Sequence, residues 1–348
     1  MIDFKIARQV ISRAVPTAFP AAVVNVGHHD EVLWQEPFGV LSHQPEAPAT
    51  RLETIFDLAS LTKVLATTTV AMTAVDNRRL ALEDPVSRWI PEWRGQDRKV
   101  VNVGDLLAHA SGLTAHLPFF RDHRGRAEFK DAICTLPLEY VPRSRSIYSD
   151  LGFILLGFLL EDAGGTSLQA QFDQLVKDHR WGELGFRPNF TFRDRIAPTE
   201  VDSWRGRLLI GEVDDENTWA LSGVAGHAGL FGTASAVGRF AQTVLQQARG
   251  GTPLSQSETF HRFITRTTVP KSSRALGWDT MLPTSSCGTR MSATAIGHTG
   301  FTGTSLWIDI EADLYVVLLT NRVCPSRKND AILDVRPAFH DAVIAALT

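Results

Sequence analysis

The chain has 348 residues, three cysteines and a formal net charge of −3, with 44% hydrophobic and 21% charged residues. That balance supports a sizeable folded core and excludes both a disordered polymer and a basic nucleic-acid-binding surface. Cys134, Cys287 and Cys324 lie too far apart for a disulfide framework or a zinc-ligand spacing, so inert buried thiols are expected.

In chain order, Ile2, Ile6, Val10, Ile11 and Ala14 recur at helical spacing, and Pro16 ends that helix. The N-terminus shows no continuous apolar run that would read as a secretory signal, so a cytoplasmic location is expected unless a leader was removed. Ala21–Val26 and Val32–Gln35 read as strands joined at Gly27-His28-His29-Asp30, with both histidines exposed at the turn. From Ser60 to about Val75, Leu61, Val64, Leu65, Thr68, Met72 and Val75 mark a buried helical stripe, with Asn77 as its left-handed cap. The Thr67-Thr68-Thr69-Val70 run has poor helix propensity, so packing must hold this helix.

Between Asp84 and about Arg195 short helical patterns alternate with Pro- and Gly-bearing loops, Val103–His109 and Asp150–Asp162 being the clearer helices. Leu151–Leu160 is the most apolar run, well short of the roughly 20 residues of a membrane span. The pairs Arg143/Arg145 and Arg205/Arg207 read as solvated surface. Gly226–Gly232 is a turn feeding a helix at Ser235–Gln247. Ser305–Ile310 and Tyr315–Thr320 form a hairpin, and Ala331–Leu347 is an amphipathic helix. With strands at both ends and helices between, the pattern specifies an α+β fold. An antiparallel sheet is flanked by N- and C-terminal helices and joined to a mostly helical lobe. One domain spans 1–348, with the α/β lobe at about 1–57 and 271–348 and the helical lobe at about 58–270.

Three segments carry chemistry. Ser60-Leu61-Thr62-Lys63 puts a hydroxyl and an amine on one helix face. A serine needs an adjacent base to attack a carbonyl, and lysine serves if its pKa is pushed down toward neutrality. Tyr148-Ser149-Asp150 brings a phenol, which acts as a base only when a cation such as Lys63 lowers its pKa from about 10. His298-Thr299-Gly300 ends on a glycine that permits close backbone approach, and the amides of Ser60 and Phe301 can form an oxyanion hole. If the three segments meet in one cleft they supply a complete acyl-transfer site, with Ser60 acylated and Lys63 and Tyr148 relaying the proton. No cofactor is needed, and no metal site is read: Asp214-Asp215-Glu216-Asn217 lacks the spacing of a calcium loop and reads as a solvated acidic turn. His109 reads as structural, and His227, in a Gly-rich turn, as a residue supporting the site. Asp150 could also cap the helix that starts at Leu151.

The order of these segments resembles the serine β-lactamase and penicillin-binding protein superfamily. The layout is most similar to class C β-lactamases, D-aminopeptidases and related esterases. Ile55–Lys63 (IFDLASLTK), Leu106–Leu113 (LLAHASGL), Tyr148–Gly157 (YSDLGFILLG), Ala225–Thr233 (AGHAGLFGT) and Gly297–Ser305 (GHTGFTGTS) carry the resemblance over nearly the whole chain. It implies a β-lactamase/transpeptidase-like fold with the serine opening a helix at the junction of the two lobes. It also implies Ser60 as nucleophile, Lys63 as its partner, Tyr148 as second relay residue and His298-Thr299 as the substrate-facing pair.

Two positions depart from the family pattern. Asp150 stands where Asn is common, and a carboxylate can only accept hydrogen bonds, repels anionic substrates and holds Lys63 charged. His298 replaces Lys and offers a cation only partly charged near neutral pH. The departures favour esters or non-classical amides, muropeptide bonds included, over efficient β-lactam hydrolysis. The expected partner is a small-molecule or peptide/muropeptide substrate, with no nucleic acid and no membrane span. The rival readings are a receptor that is acylated without turnover and an inactive homologue.

Overall fold

The computed structural model describes residues 2–251 and 254–347. The strands, in chain order, are β1 (Ala21–Gly27), β2 (Val32–Gly39), β3 (Phe56–Asp57), β4 (Leu184–Phe186), β5 (Val201–Asp202), β6 (Arg207–Leu208), β7 (Leu230–Gly232), β8 (Asp279–Thr280), β9 (Ile296–Thr299), β10 (Ser305–Asp309) and β11 (Leu314–Thr320). The helices are α1 (Lys5–Ala14), α2 (Thr69–Asp76), α3 (Val86–Trp89), α4 (Val103–Leu107), α5 (Gly125–Thr135), α6 (Asp150–Gly164), α7 (Leu168–His179), α8 (Glu216–Ala220), α9 (Ala234–Ala248), α10 (Ser257–Ile264) and α11 (Ile332–Leu347).

An antiparallel sheet in the order β2-β1-β11-β10-β9-β8 joins the two ends of the chain. In β1 and β11 every residue is buried, because apolar side chains cover both faces. Alternation sorts them. Ala22, Val24, Val26, Val316 and Leu318 meet Phe4, which precedes α1, Ile11 of α1 and Phe339 and Val343 of α11. Ala21, Val23, Val317 and Leu319 belong instead to the larger core, with Leu65, Phe153 and Phe240 of the helical region. The fold is therefore the α+β arrangement expected, with terminal helices on the sheet. Leu151 through Leu160 are all buried in α6, so the most apolar run is a core helix enclosed on every side.

Several local expectations need correction. The helix after Ser60 is not continuous α: Lys63–Thr68 form a π-helical segment before α2. Thr69 Oγ1 donates to Val64 O and Thr67 Oγ1 to Gly226 O, so threonines that disfavour an α-helix here bond to the widened turn and to a neighbouring loop. Asn77 has φ −78°, and the left-handed residue is Arg78. Ser149 caps α6, accepting from Gly152 N at 3.1 Å, which frees Asp150 for another partner. His28 and His29 are not free turn residues: their Nδ1 atoms bond to Asp313 O and Oδ2 at 2.6 and 2.7 Å. Arg205 is buried against Asp202 rather than solvated. The 214–217 segment is no solvated turn, since Asp214 and Asn217 are buried. The three cysteines are free and buried.

Candidate active site

The nucleophile candidate sits on a strained, tightly held turn. Ala59 takes φ +46°, a conformation rare for a residue with a Cβ. Asp57 Oδ1 accepts Ala59 N at 2.8 Å and fixes that turn. Thr302 and Thr304 Oγ1 donate to Asp57 O and Leu58 O at 2.7 and 3.1 Å, so the β9–β10 connection clamps the backbone leading into Ser60. The amides of Ser60 and Phe301 have no protein acceptor among the described residues.

Lys63 is fully buried and its three N–H bonds are all used: Ser60 Oγ at 3.0 Å, Asp150 Oδ1 at 2.8 Å and His227 O at 3.0 Å. Burial opposes its charge, but Asp150 and the Tyr148 phenol outweigh burial and hold its pKa above the ordinary lysine value. Asp150 is itself held well below the carboxylate range: burial pushes up, and Lys63, His116 and His227 together pull down harder. The condition under which Lys63 itself would serve as the base, a pKa pushed down toward neutrality, is therefore not met, and Asp150 holds it charged as a carboxylate at that position is expected to.

Tyr148 packs beside Lys63, whose Nζ lies 4.7 Å from the ring centroid, and its hydroxyl lies beside both Lys63 and Ser60. Burial raises the phenol pKa, and the pull of Lys63 does not fully offset it. The expected lowering is not found. His109 packs against Tyr148 with ring centroids 4.7 Å apart and planes tilted by 45°, and accepts Ser149 N at its Nδ1, a supporting role for the segment.

His298 is buried, with Nδ1 donating to Thr299 O at 2.8 Å and Nε2 without a partner. Burial, reinforced by Arg274 and Lys63, depresses its pKa well below the usual histidine value, so it is neutral rather than partly charged. His298 and Thr299 lie beyond the short β8, which pairs only with Ile296 and Gly297, and leave an open strand edge. Ser60, Tyr148, His298, Thr299, Gly300 and Phe301 line one cleft of about 450 Å³. A recess of about 300 Å³ on the other side of Ser60 holds Asp150, Asp215 and His227. All the residues singled out in the sequence thus meet around Ser60.

Further residues were not foreseen. Arg274 places its guanidinium 5.1 Å from the Tyr148 ring centroid, with Nη1 buried and unpartnered. It restores a permanent cation to a cleft whose histidine is neutral. Arg336, also in the cleft wall, donates to Gly300 O and Thr304 O and steadies the strand turn. His116 lies 3.7 Å from Asp150, which raises its pKa against the effect of burial. Asp215 accepts from His227 Nε2 at 2.8 Å, a bond that sets the imidazole tautomer. Single arginines and histidines in loops carry no local pattern, so only the tertiary fold reveals them.

The arrangement can activate a hydroxyl, hold an oxyanion on two free amides and receive an extended substrate along β9. Residues 7–337 match the Beta-lactamase family model. An N-acetylmuramyl-L-alanine amidase of Bacillus subtilis (strain 168) is 30% identical over 90% of this chain and 80% of its own length. A protein of Escherichia coli (strain K12), provisionally named a D-alanyl-D-alanine carboxypeptidase, is 29% identical over the same shares. Among solved structures, EstCE1, a hydrolase with promiscuous acyltransferase activity, superposes with TM-score 0.76 at 22% identity, over 98% of each chain. A class C beta lactamase from Rhodobacter sphaeroides gives 0.76 at 18%, over 99% of each. With a family model spanning nearly its whole length, the chain belongs to the Beta-lactamase family and is a serine hydrolase.

Proposed function

We propose that the chain hydrolyses an amide in cell-wall peptides or muropeptides whose leaving side carries a carboxylate, through an acyl-enzyme on Ser60. Lys63 donates to Ser60 Oγ, so the seryl hydrogen must point elsewhere, and the Tyr148 oxygen is the acceptor at hand. In the reactive form the Lys63–Tyr148 pair is one proton short of fully protonated. Tyr148, as phenolate, takes the Ser60 proton while Oγ bonds to the carbonyl carbon. The oxyanion that forms rests on the Ser60 and Phe301 amides. Tyr148 returns the proton to the departing amine as the C–N bond breaks. Water then attacks the ester, giving one proton to Tyr148, which passes it to Ser60 as the acid leaves.

The observation that carries the substrate class is Arg274, which lines the cleft beside Tyr148, with Nε 3.9 Å from Asp279 Oδ1 and Nη1 without a partner. A guanidinium there pairs with a substrate carboxylate near the scissile bond. The names of the two sequence relatives point to cell-wall amides with an alanine at the bond.

The test is a panel of muramoyl-L-alanyl peptide, a peptide ending in D-Ala-D-Ala, D-aminoacyl anilide, p-nitrophenyl ester and chromogenic cephalosporin, with Ser60→Ala as blank. Turnover of an alanyl amide well above the ester supports the assignment. Arg274→Gln should raise KM for the carboxylate-bearing amide about 10- to 100-fold and leave the neutral ester within about 3-fold. Equal losses on both substrates would refute the anchoring role. A stable Ser60 adduct without product, detected by mass spectrometry, would make the protein an acylated receptor instead.

A further inference from the structure

On the far side of α8 from Ser60 lies a larger cavity, about 930 Å³, within the size range of small-molecule sites. The two hollows share that helix: Asp215, its N-cap, and Glu216 face the Ser60 recess, while Trp219 and Ala220 line the cavity. Its floor is apolar, built from Val213, Phe231, Ile210 and Trp219, which pack as a small core of their own. Its walls carry Arg124, Arg187, Arg193 and Arg207 against a single carboxylate, Glu212. Glu212 is already spent on Arg207 and Arg205.

The guanidiniums of the other three arginines have no carboxylate partner among the described residues, although the Arg124 backbone N–H donates to Glu128 Oε2 at 2.6 Å. Arg187 Nε donates to Ser222 O at 2.8 Å, Arg124 Nη1 to the Phe120 and His123 carbonyls, and Arg193 lies over the Phe190 ring at 5.2 Å. In a chain of net charge −3 this is a local concentration of unneutralised positive charge over an apolar hollow. Arg187 and Ser222, the two residues that hydrogen-bond across one wall, both adopt left-handed φ, +50° and +63°. Such strain persists where the surroundings enforce a particular shape.

We propose that this cavity is a second ligand site, separate from the Ser60 cleft, for a soluble anion carried on an apolar or ring-bearing body, such as an aryl or glycosyl phosphate or carboxylate. The guanidiniums pair with the anionic head, and Trp219, Ile210 and Phe231 receive the ring. Head and body both contribute, because the floor offers no charge and the guanidiniums pair with the anionic head alone.

The experiment is isothermal titration of the full chain with 1-naphthyl phosphate, inorganic phosphate and 1-naphthol at fixed ionic strength. 1-Naphthyl phosphate should bind at least about tenfold tighter than either fragment. Arg193→Glu and, separately, Arg187→Gln should each weaken it about tenfold or more, with basal hydrolysis and melting temperature unchanged. Arg274→Gln, in the Ser60 cleft, should leave the affinity as it is. Equal affinity for inorganic phosphate, insensitivity to both wall variants, or loss on Arg274→Gln would each overturn the proposal. So would binding to vesicles containing phosphatidylglycerol with none to the soluble probe, which would make the arginine and Phe190 surface a lipid contact.

Discussion

Asp150 decides how much proton-transfer capacity the site has at neutral pH. It holds Lys63 as an ammonium at 2.8 Å and is itself kept ionised by that contact. Because the Lys63 and Tyr148 pKa values both lie above ordinary, the pair binds all its protons at pH 7, and the reactive fraction grows about tenfold per pH unit until the pair titrates. The kcat/KM of the wild type should therefore climb with a slope near 1 from about pH 7 to 9. Asp150→Asn removes the charge that raises Lys63, so its alkaline limb should move to lower pH. A pH profile of both proteins on the same uncharged ester checks this, and an unshifted limb would rule out the Lys63–Tyr148 pair as the titrating base. The same change leaves Lys63 buried without its counter-ion, at a cost of about 3 kcal/mol in folding stability, measurable by urea unfolding.

At the scale of elements, the site depends on how closely β9 and its turn approach the backbone before Ser60. A Cβ built on Gly300 would lie 2.1 Å from Thr304 Oγ1 and 2.6 Å from Leu58 O, the group that Thr304 itself bonds. Gly300→Ala must therefore push the turn away from Leu58 and part the two free amides. The expected result is a fall of about 100-fold or more in kcat, as for the loss of an oxyanion donor, with KM less affected. The folding cost should be about 1–3 kcal/mol from overpacking. Near-wild-type kcat in a folded Gly300→Ala protein would argue against an oxyanion hole made by Ser60 and Phe301. Gly226 has a similar part: its Cβ would lie 2.0 Å from Phe153 O, so only glycine lets this loop lie on α6 and bring His227 O to Lys63.

This dependence on contact explains which features are legible in the sequence. Strands such as Ala21–Val26 and the Ser305–Thr320 hairpin are visible because alternation and turn residues are local signals. Ser60, Lys63 and Tyr148 are visible because they stand in distinctive short patterns. The π-helical turn after Lys63 is not, since Thr67 stabilises it through a carbonyl 159 residues away. The pKa shifts of Lys63, Tyr148 and His298 are also hidden, because each is set by burial and by charges from other segments. Arg274 is invisible for the same reason: only the fold carries it to Tyr148.

For the whole molecule, the region behind Ser60 has its own electrostatic cost, because carboxylates are buried together there. Asp57, whose Oδ2 also accepts Asp214 N at 2.7 Å, has its pKa raised to about 6 by burial, against the pull of its two backbone donors. Asp214 is raised well above the carboxylate range by burial and by the neighbouring Asp57 and Glu200, and its Oδ1 has no partner. Both groups bind protons more tightly folded than unfolded. Their contribution to stability is therefore complete below about pH 4 and declines as pH rises above it, that of Asp57 being lost by about pH 6 and that of Asp214 at higher pH than an ordinary carboxylate. For Asp57 the shift corresponds to about 3 kcal/mol across that window. Asn at 214 has the shape of the protonated acid and cannot ionise, so Asp214→Asn should match the wild type at about pH 3.5, below the unfolded carboxylate pKa, and exceed it at pH 8. The expected gain is at least about 1 kcal/mol, read from urea midpoints at the two pH values. A variant less stable than the wild type at pH 8 would mean that the Asp214 carboxylate is held by a compensating cation, with Arg327 the nearest candidate.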